Sequence, residues 1–393
     1  MKLKLTILSL LLFTSFTLAQ NRQLSQNAEI SVLTMGPGSS LIDAFGHSAF
    51  RVKDATRFLD TVFNYGTFDF DTPNFYLKFA QGKLNYKLAA NSYSAFYDFY
   101  VAQNRTIEEQ TLNLTQAQKQ LLFDFLLNNV KPENKYYLYD FFYDNCATRI
   151  KDVANDALNE TITFNAPKDF ESKTFRQLIH SHVNQNSWGS LGIDVALGSV
   201  IDKKATAEEH MFLPRFIHAF FENATFLNSK EPIVKQSTVL FEKVDEPKIS
   251  SFITSPLLVF GIIGLFILWM TYRDYKNSKR SKWLDVSLFA ITGIIGVLLL
   301  LLWFATNHSA TANNYNLLWA FPINLFVIRQ LLKNSPKQWF IKYLKFLVIL
   351  FTLLTLHWTI GVQVFAIGLI PLLLALVVRY IFLIKYFGRT VKL

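Results

Sequence analysis

Cys146 is the only cysteine in the 393-residue chain. It stands in the segment Tyr143-Asp144-Asn145-Cys146-Ala147-Thr148-Arg149. Asparagine accepts orphan amide protons well at the start of a helix, so Asn145 is the expected N-cap and Cys146 the first helical residue. The partial positive charge of a helix N-terminus stabilises a thiolate and lowers the thiol pKa from its reference of about 8.5. A cysteine so placed suits nucleophilic chemistry, whereas a structural cysteine usually sits mid-element in apolar surroundings. A single thiol excludes an intramolecular disulfide and a cysteine-rich metal site. No metal or other cofactor is expected.

A thiol nucleophile needs a base. Of His47, His180, His182, His210 and His218, the first is singled out by its setting, Phe45-Gly46-His47-Ser48-Ala49-Phe50-Arg51-Val52. A glycine followed by a period-2 pattern reads as a strand that another backbone or a ligand can approach closely. A histidine early on such a strand can face a helix N-terminus and take a thiol proton. The base in turn needs a partner on its other ring nitrogen. Asn64, in Phe63-Asn64-Tyr65-Gly66, is the candidate, with Tyr65 and Asp69 as nearby competitors. Tyr143, Asn145 and Arg149 flank the thiol and are the candidate substrate contacts.

The elements that must position these groups can be read coarsely. Residues 30–34 and 48–52 read as short strands, and a third lies within 57–65. Residues 116–127 read as a helix capped by Thr115, and 147–158 as an amphipathic helix with Ile150, Val153, Ala154 and Ala157 on one face. The aromatic run 136–143 is strand or irregular. Residues 225–250 are polar enough for a linker or edge structure.

Composition divides the chain in two. Hydrophobic residues make up 51% and net charge is +10. Before about residue 250 charges, turns and aromatics mix as in a globular domain; beyond it run long, nearly uncharged apolar segments of bilayer-spanning length. Five spans are expected, at 252–271, 283–305, 315–331, 339–360 and 364–384, the third interrupted by Pro322 and Asn324. Loops rich in Lys and Arg alternate with neutral ones. The positive-inside rule therefore places the N-terminal domain outside and the C-terminus in the cytoplasm. The basic excess thus reflects topology, and no nucleic-acid partner is expected. Lys2 and Lys4, the apolar run 5–18 and a small-residue site near Ala19 read as a signal peptide. The expected division is a signal peptide at 1–19, an exported domain at 20–250 and a membrane domain at 251–393.

The order of a histidine strand followed about a hundred residues later by a cysteine helix resembles the circularly permuted papain-like fold. The Asn145-Cys146 pair is similar to the Asn-Cys segment of lecithin:retinol acyltransferase and its relatives. The segments Phe45 to Val52, Phe63 to Phe70, Asp144 to Asp152 and Met211-Phe212-Leu213-Pro214 together resemble the Lnb-type lipoprotein N-acyltransferases. That resemblance spans essentially the whole mature chain. It implies an α+β exported domain of permuted papain-like (NlpC/LRAT-like) type, followed by an all-α bundle in the bacterial inner membrane.

It also implies a two-step reaction at the bilayer. Thiolate Cys146, activated by His47, would take an acyl group from a membrane phospholipid. The N-terminal amine of a diacylglyceryl-cysteine apolipoprotein would then accept it. Arg149 would meet lipid phosphate, and backbone amides at the Cys146 helix start would hold the oxyanion. Residues 211–214 receive no role beyond a packed turn. Tyr93, Phe96, Tyr97, Phe99 and Tyr100 suit either an interfacial contact or a core. A papain-like cell-wall peptidase or amidase is the alternative, and a non-catalytic membrane receptor or assembly factor is a third reading.

Overall fold

The computed structural model describes residues 23–159, 161–245 and 252–390. The expected signal peptide lies outside them. In the N-terminal part the strands are β1 (Glu29–Met35), β2 (His47–Asp54), β3 (Leu59–Thr67), β4 (Asn85–Ser92), β5 (Ile107–Leu112), β6 (Tyr136–Leu138), β7 (Ile162–Thr163), β8 (Thr225–Phe226) and β9 (Val234–Phe241). The helices there are α1 (Phe75–Ala80), α2 (Tyr93–Ala102), α3 (Gln116–Asn129), α4 (Cys146–Ala157), α5 (Phe175–His180), α6 (Trp188–Ala196) and α7 (Pro214–Glu222).

Seven strands form one antiparallel sheet in the order β6-β4-β3-β2-β1-β5-β9, and β7 pairs with β8 in a separate ribbon. The polar stretch near residue 240 is therefore edge structure: β9 closes the sheet beside β5. Its side chains are mostly exposed, as befits an edge strand with one flank open.

Both faces of the sheet are covered. On one, Ile30, Val32, Phe50, Val52 and Phe63 pack against Leu122 and Phe123 of α3, Ile150 and Val153 of α4 and Phe220 of α7. Alternation sends Leu33, Met35, Ala49 and Val62 to the other face, where Phe96 and Tyr100 of α2 meet them. So α2 is largely core; only Phe99 of its five aromatics is a large exposed group, at 58%. The small residues Ala147, Ala154 and Ala157 line the buried side of α4, which lets this helix lie close to β2 and β3. The sheet and these helices form the α+β architecture expected.

Beyond residue 252 the chain is helical: α8 (Pro256–Lys276), α9 (Lys282–Phe304), α10 (Asn324–Leu331), α11 (Gln338–Thr359) and α12 (Ile370–Thr390). Four of these, all but α10, are long and apolar enough to cross a membrane among the described residues. At 1.5 Å per residue, helices of 21 to 23 residues reach about 30 Å, the thickness of a hydrocarbon core.

The third expected span is not a continuous helix. A 3-10 turn at Tyr315–Leu318 precedes an irregular stretch, and α10 has only eight residues. The segment nonetheless runs the length of the bundle. At one end Asn314 and Asn316 donate to the carbonyls of Val195 and Asp194 in the exported domain. At the other the Leu331 carbonyl accepts from Arg280, in the loop joining α8 to α9. Pro322 and Asn324 mark the break, where Trp319, Ala320 and Asn324 are buried against protein. The absent side chain of Gly296 lets the Ala320 carbonyl lie against α9, since a Cβ there would fall 2.1 Å from that oxygen. Asn324 donates to Thr292 at 2.8 Å and accepts from the Tyr343 hydroxyl. Irregular backbone at membrane depth needs such shelter.

Charge at membrane depth is likewise paired. Arg379 bonds Asp285 at 2.7 Å and Asp274 at 2.9 Å, and Arg280 joins Asp285 at 2.9 Å. Two guanidinium groups and two carboxylates thus tie three helices beside the basic loop.

The two domains share a polar seam. The Asn186 carboxamide accepts from the Leu257 amide, and Trp188 donates to the Thr254 carbonyl just ahead of α8. Buried Arg176 bonds Asp194 and Asp202, and Asp202 also accepts from the amide of Val364, between α11 and α12. The exported domain is therefore fixed on the bundle.

Candidate active site

The Cys146 helix is capped as its sequence predicts. Asn145 Oδ1 accepts from the amides of Ala147 at 2.7 Å and Thr148 at 2.9 Å, and Thr148 Oγ1 returns a bond from the Asn145 amide. This capping box fixes the first turn and leaves the Cys146 thiol at its tip.

His47 opens β2, and Asn64 lies on the same face of neighbouring β3. The imidazole Nε2 stands 2.6 Å from Asn64 Oδ1. With Nε2 donating to that oxygen, the other ring nitrogen, Nδ1, is left for the sulfur. The imidazole and the Cys146 thiol lie close enough to act on each other's charge. On the His47 face of the sheet the Tyr100 ring stacks against the imidazole, centroids 6.2 Å apart.

The thiol reaches this pair because β3 is interrupted. Its register with β4 shifts between Asn64 and Thr67, and Gly66 adopts φ +85° within that irregularity. A side chain on Gly66 would have its Cβ 3.3 Å from Cys146 Cβ. Only glycine accepts both this backbone conformation and this neighbour without strain. The bulge thus aims Asn64 and clears space for the thiol.

Burial opposes charge on both groups, yet each is drawn toward its charged form. For Cys146 that penalty is outweighed by the positive imidazolium, its hydrogen bond, and the backbone amides of Ser48 and Cys146 directed at the sulfur; the thiol pKa is held below its ordinary value. For His47 it is outweighed by the thiolate and by hydrogen bonds to Cys146 and Asn64; its pKa lies above the ordinary value. Both shifts run in the direction that eases proton transfer from the thiol to the imidazole. Both residues are half-buried, so the pair remains reachable from outside. Arg105 tempers the imidazolium by repulsion; its guanidinium lies over Tyr100 at 4.7 Å and donates to the Gly36 carbonyl at 2.8 Å.

Comparison with protein families then places the chain. Residues 17–181 match the Lnb N-terminal periplasmic domain, and residues 248–389 match the Lnb transmembrane domain. The chain is an Lnb-type protein. Comparison with curated proteins and with solved structures gave no match. The Lnb-type assignment makes it a multi-pass membrane protein with a periplasmic N-terminal domain.

Within this Lnb-type site the structure brings Cys146, His47 and Asn64 together, and leaves the three flanking residues otherwise occupied. Asn145 is 3% exposed, and its amide nitrogen donates to the carbonyls of Phe141 and Phe212 while its oxygen caps the helix. Its side-chain donors and acceptor are thus engaged in holding the cysteine turn. Arg149 is turned to Asp144 in a two-pronged ion pair, with Nη2 to Oδ2 at 2.6 Å, and lies over the Tyr137 ring at 4.3 Å. Two of its three guanidinium nitrogens are thereby engaged by Asp144. Tyr143 is half-exposed and packs on Phe175. The competitors of Asn64 are also accounted for: the Tyr65 hydroxyl accepts from Asn129, and Asp69 caps the Asp71 amide in an exposed turn.

Sequence reasoning missed the use of residues 211–214. The Phe212 carbonyl takes the Asn145 amide at 2.8 Å, and Pro214 packs beside Gly46, the residue preceding the histidine. One short segment therefore braces both the cysteine turn and the histidine strand. Arg105 and Tyr100 were missed as neighbours of His47, since neither stands in a motif.

Proposed function

We propose that this protein is a lipoprotein N-acyltransferase of the bacterial inner membrane, with Cys146 as nucleophile, His47 as general base and acid, and Asn64 as the group that orients His47. The observation that carries this reading is the convergence of Cys146, His47 and Asn64 in a periplasmic domain fixed to a membrane bundle.

In the first step the Cys146 sulfur attacks an ester carbonyl of a phospholipid. The carbonyl carbon–oxygen bond to glycerol breaks, and the His47 imidazolium gives its proton to the departing lysophospholipid alkoxide. The acyl group then rests on sulfur as a thioester. In the second step the α-amine of a diacylglyceryl-cysteine apolipoprotein attacks that thioester. Neutral His47 takes the amine proton, the carbon–sulfur bond breaks, and the thiolate–imidazolium pair is restored.

Several features suit this cycle. The Ser48 and Cys146 amides, which help hold the thiol pKa down, are the candidate donors to the oxyanion of each tetrahedral intermediate, a stabilisation worth roughly 3–4 kcal/mol per donor in well-studied cases. Asn64 holds the imidazole through both proton transfers. A cavity of about 240 Å³ opens beside Asn64 and Tyr100, with Ala95, Phe96 and Phe99 as apolar walls, and it suits the first carbons of an acyl chain. Both substrates are anchored in one leaflet, so a tethered site replaces a three-dimensional search with a two-dimensional one.

The test uses the full-length protein in phospholipid vesicles with isotope-labelled acyl chains and a diacylglyceryl-cysteine peptide. A hydroxylamine-labile label on the protein is expected, chased onto the peptide amine on mixing. Cys146→Ala should retain neither activity. Shortening of a peptide with no acyl label on the enzyme would instead place the site among hydrolases and overturn the reading.

A further inference from the structure

Between β3 and β4 the chain leaves the sheet for an aromatic excursion, residues 68–84, that starts two residues after Gly66. Phe68, Phe70 and Phe75 contact one another, with ring centroids 4.9 to 5.8 Å apart, and Phe75 stacks on Phe79. The outward edge is strongly apolar: Phe70 is 63%, Tyr76 79%, Leu77 58% and Phe79 53% exposed. A contiguous exposed patch of this kind marks a surface with a partner.

The backbone says what that partner is. The Gln81 carbonyl accepts from the Asn307 amide at 2.9 Å, and the Phe79 carbonyl faces His308 Nε2 at 3.0 Å. Gly82, at φ +66°, allows the approach, because a Cβ there would sit 3.2 Å from Asn307 Cβ and from the His308 amide. Asn307 and His308 lie just beyond the end of α9 at Phe304, where that span leaves the hydrocarbon. The excursion is thus pinned at the depth where lipid headgroups begin. Aromatic rings with polar tips favour this zone, and Lys78 and Lys83 flank the patch where phosphates would lie.

The same excursion leads inward. Phe68 contacts Tyr86 at 5.2 Å, Tyr86 stacks on Tyr139 at 4.2 Å, and Tyr139 lies within electrostatic reach of Cys146. The ring contacts thus run from the exposed edge inward as far as Tyr139.

We propose that residues 68–82 are an interfacial element: Phe70, Tyr76, Leu77 and Phe79 insert into the outer leaflet of the inner membrane and shield the route of a lipid ester to Cys146. The insertion stands on geometry alone; the delivery role rests on the acyl-transfer reading.

Because Cys146 is the sole cysteine, Cys146→Ala gives a clean background for spin labelling. A nitroxide at Tyr76→Cys is compared, in lipid nanodiscs, with one at Phe58→Cys. Phe58 is 99% exposed and lies in the β2–β3 connection, at the far end of those strands from His47 and Gly66. At position 76 collisions with oxygen should exceed those with a water-soluble nickel chelate, and at position 58 the reverse. Matching accessibility at the two positions overturns the insertion. The paired variant Tyr76→Asp/Leu77→Asp should lower acyl labelling of Cys146 from bilayer lipid by roughly ten-fold or more, while alkylation by soluble iodoacetamide stays within about two-fold. Unchanged labelling overturns the delivery role. If the label at 76 is immersed but wild type never becomes acylated, the acyl-transfer reading fails and the insertion stands.

Discussion

Two packed histidines in the periplasmic domain, His47 and His210, carry opposite electrostatic burdens. Both lie beside aromatic rings. His210 is fully buried between Phe170 and Phe216. Its Nδ1 faces the Thr206 carbonyl at 2.7 Å and its Nε2 accepts from the Lys173 amide at 3.1 Å. That pattern suits one neutral tautomer and leaves no site for a second proton. Burial accordingly lowers the His210 pKa, with the Thr206 carbonyl and Glu209 opposing. His47 has an acceptor at Nε2 and a thiol at its other side, so protonation gains two partners and the pKa rises. Burial and residue type do not separate a chemical histidine from a structural one. The partner of the second ring nitrogen does.

The largest effect should come from His47→Ala. Without the imidazole, Cys146 loses the two leading contributions that hold its pKa down, and burial then pushes the thiol up. Iodoacetamide alkylation of wild type should persist well below pH 8.5, the free-thiol reference of about that value. In the variant its midpoint should move above that reference, and acylation should fall by roughly 10²–10⁴-fold, the usual worth of a positioned acid–base group. An unchanged alkylation profile would mean that His47 does not set the thiol's charge.

Asn64→Ala should cost less, about 10–100-fold in acylation, because it removes an orienting partner and not the proton carrier. Asn64 also supports the charged imidazole, so His47 in the variant should titrate lower. Activity requires the imidazolium for the first step. Its alkaline limb should therefore move to lower pH. A uniform loss of activity with an unmoved limb would make Asn64 a packing residue only.

What was legible in the sequence was local. The Asn145 cap, the Cys146 position and the β2 and β3 strands follow from short-range backbone chemistry, and the apolar spans from composition. What was hidden is long-range. Asn145 reaches the Phe212 carbonyl 67 positions away, and no pattern around either residue announces the other. Arg149 reads as an exposed cation until Asp144, five residues before it, is seen turned toward it. The third span reads as apolar in the sequence, but Pro322 and the polar Asn324 are housed there by glycine and Thr292 on α9. The apolar edge of residues 68–82 reads from sequence as one more aromatic run; its meaning comes from the contact with Asn307 and His308.

The smallest effect on chemistry, and the sharpest contrast, belongs to His210→Ala. The substitution leaves the Thr206 carbonyl and the Lys173 amide without their ring partner and opens space between two phenylalanines. Unpaired buried groups of this kind cost about 1–3 kcal/mol each, so the thermal midpoint in detergent should fall by several degrees. Acylation per folded molecule should stay within about two-fold. The pH dependence gives an independent readout. A histidine whose folded pKa is depressed binds fewer protons folded than unfolded, so its contribution to stability is present above the unfolded value of about 6.5 and is lost as pH falls below it. Wild type should therefore lose stability on acidification through that window, and His210→Ala should lose less. If the variant instead abolished acylation at full stability, His210 would belong with His47, and the distinction drawn from the second ring nitrogen would fail.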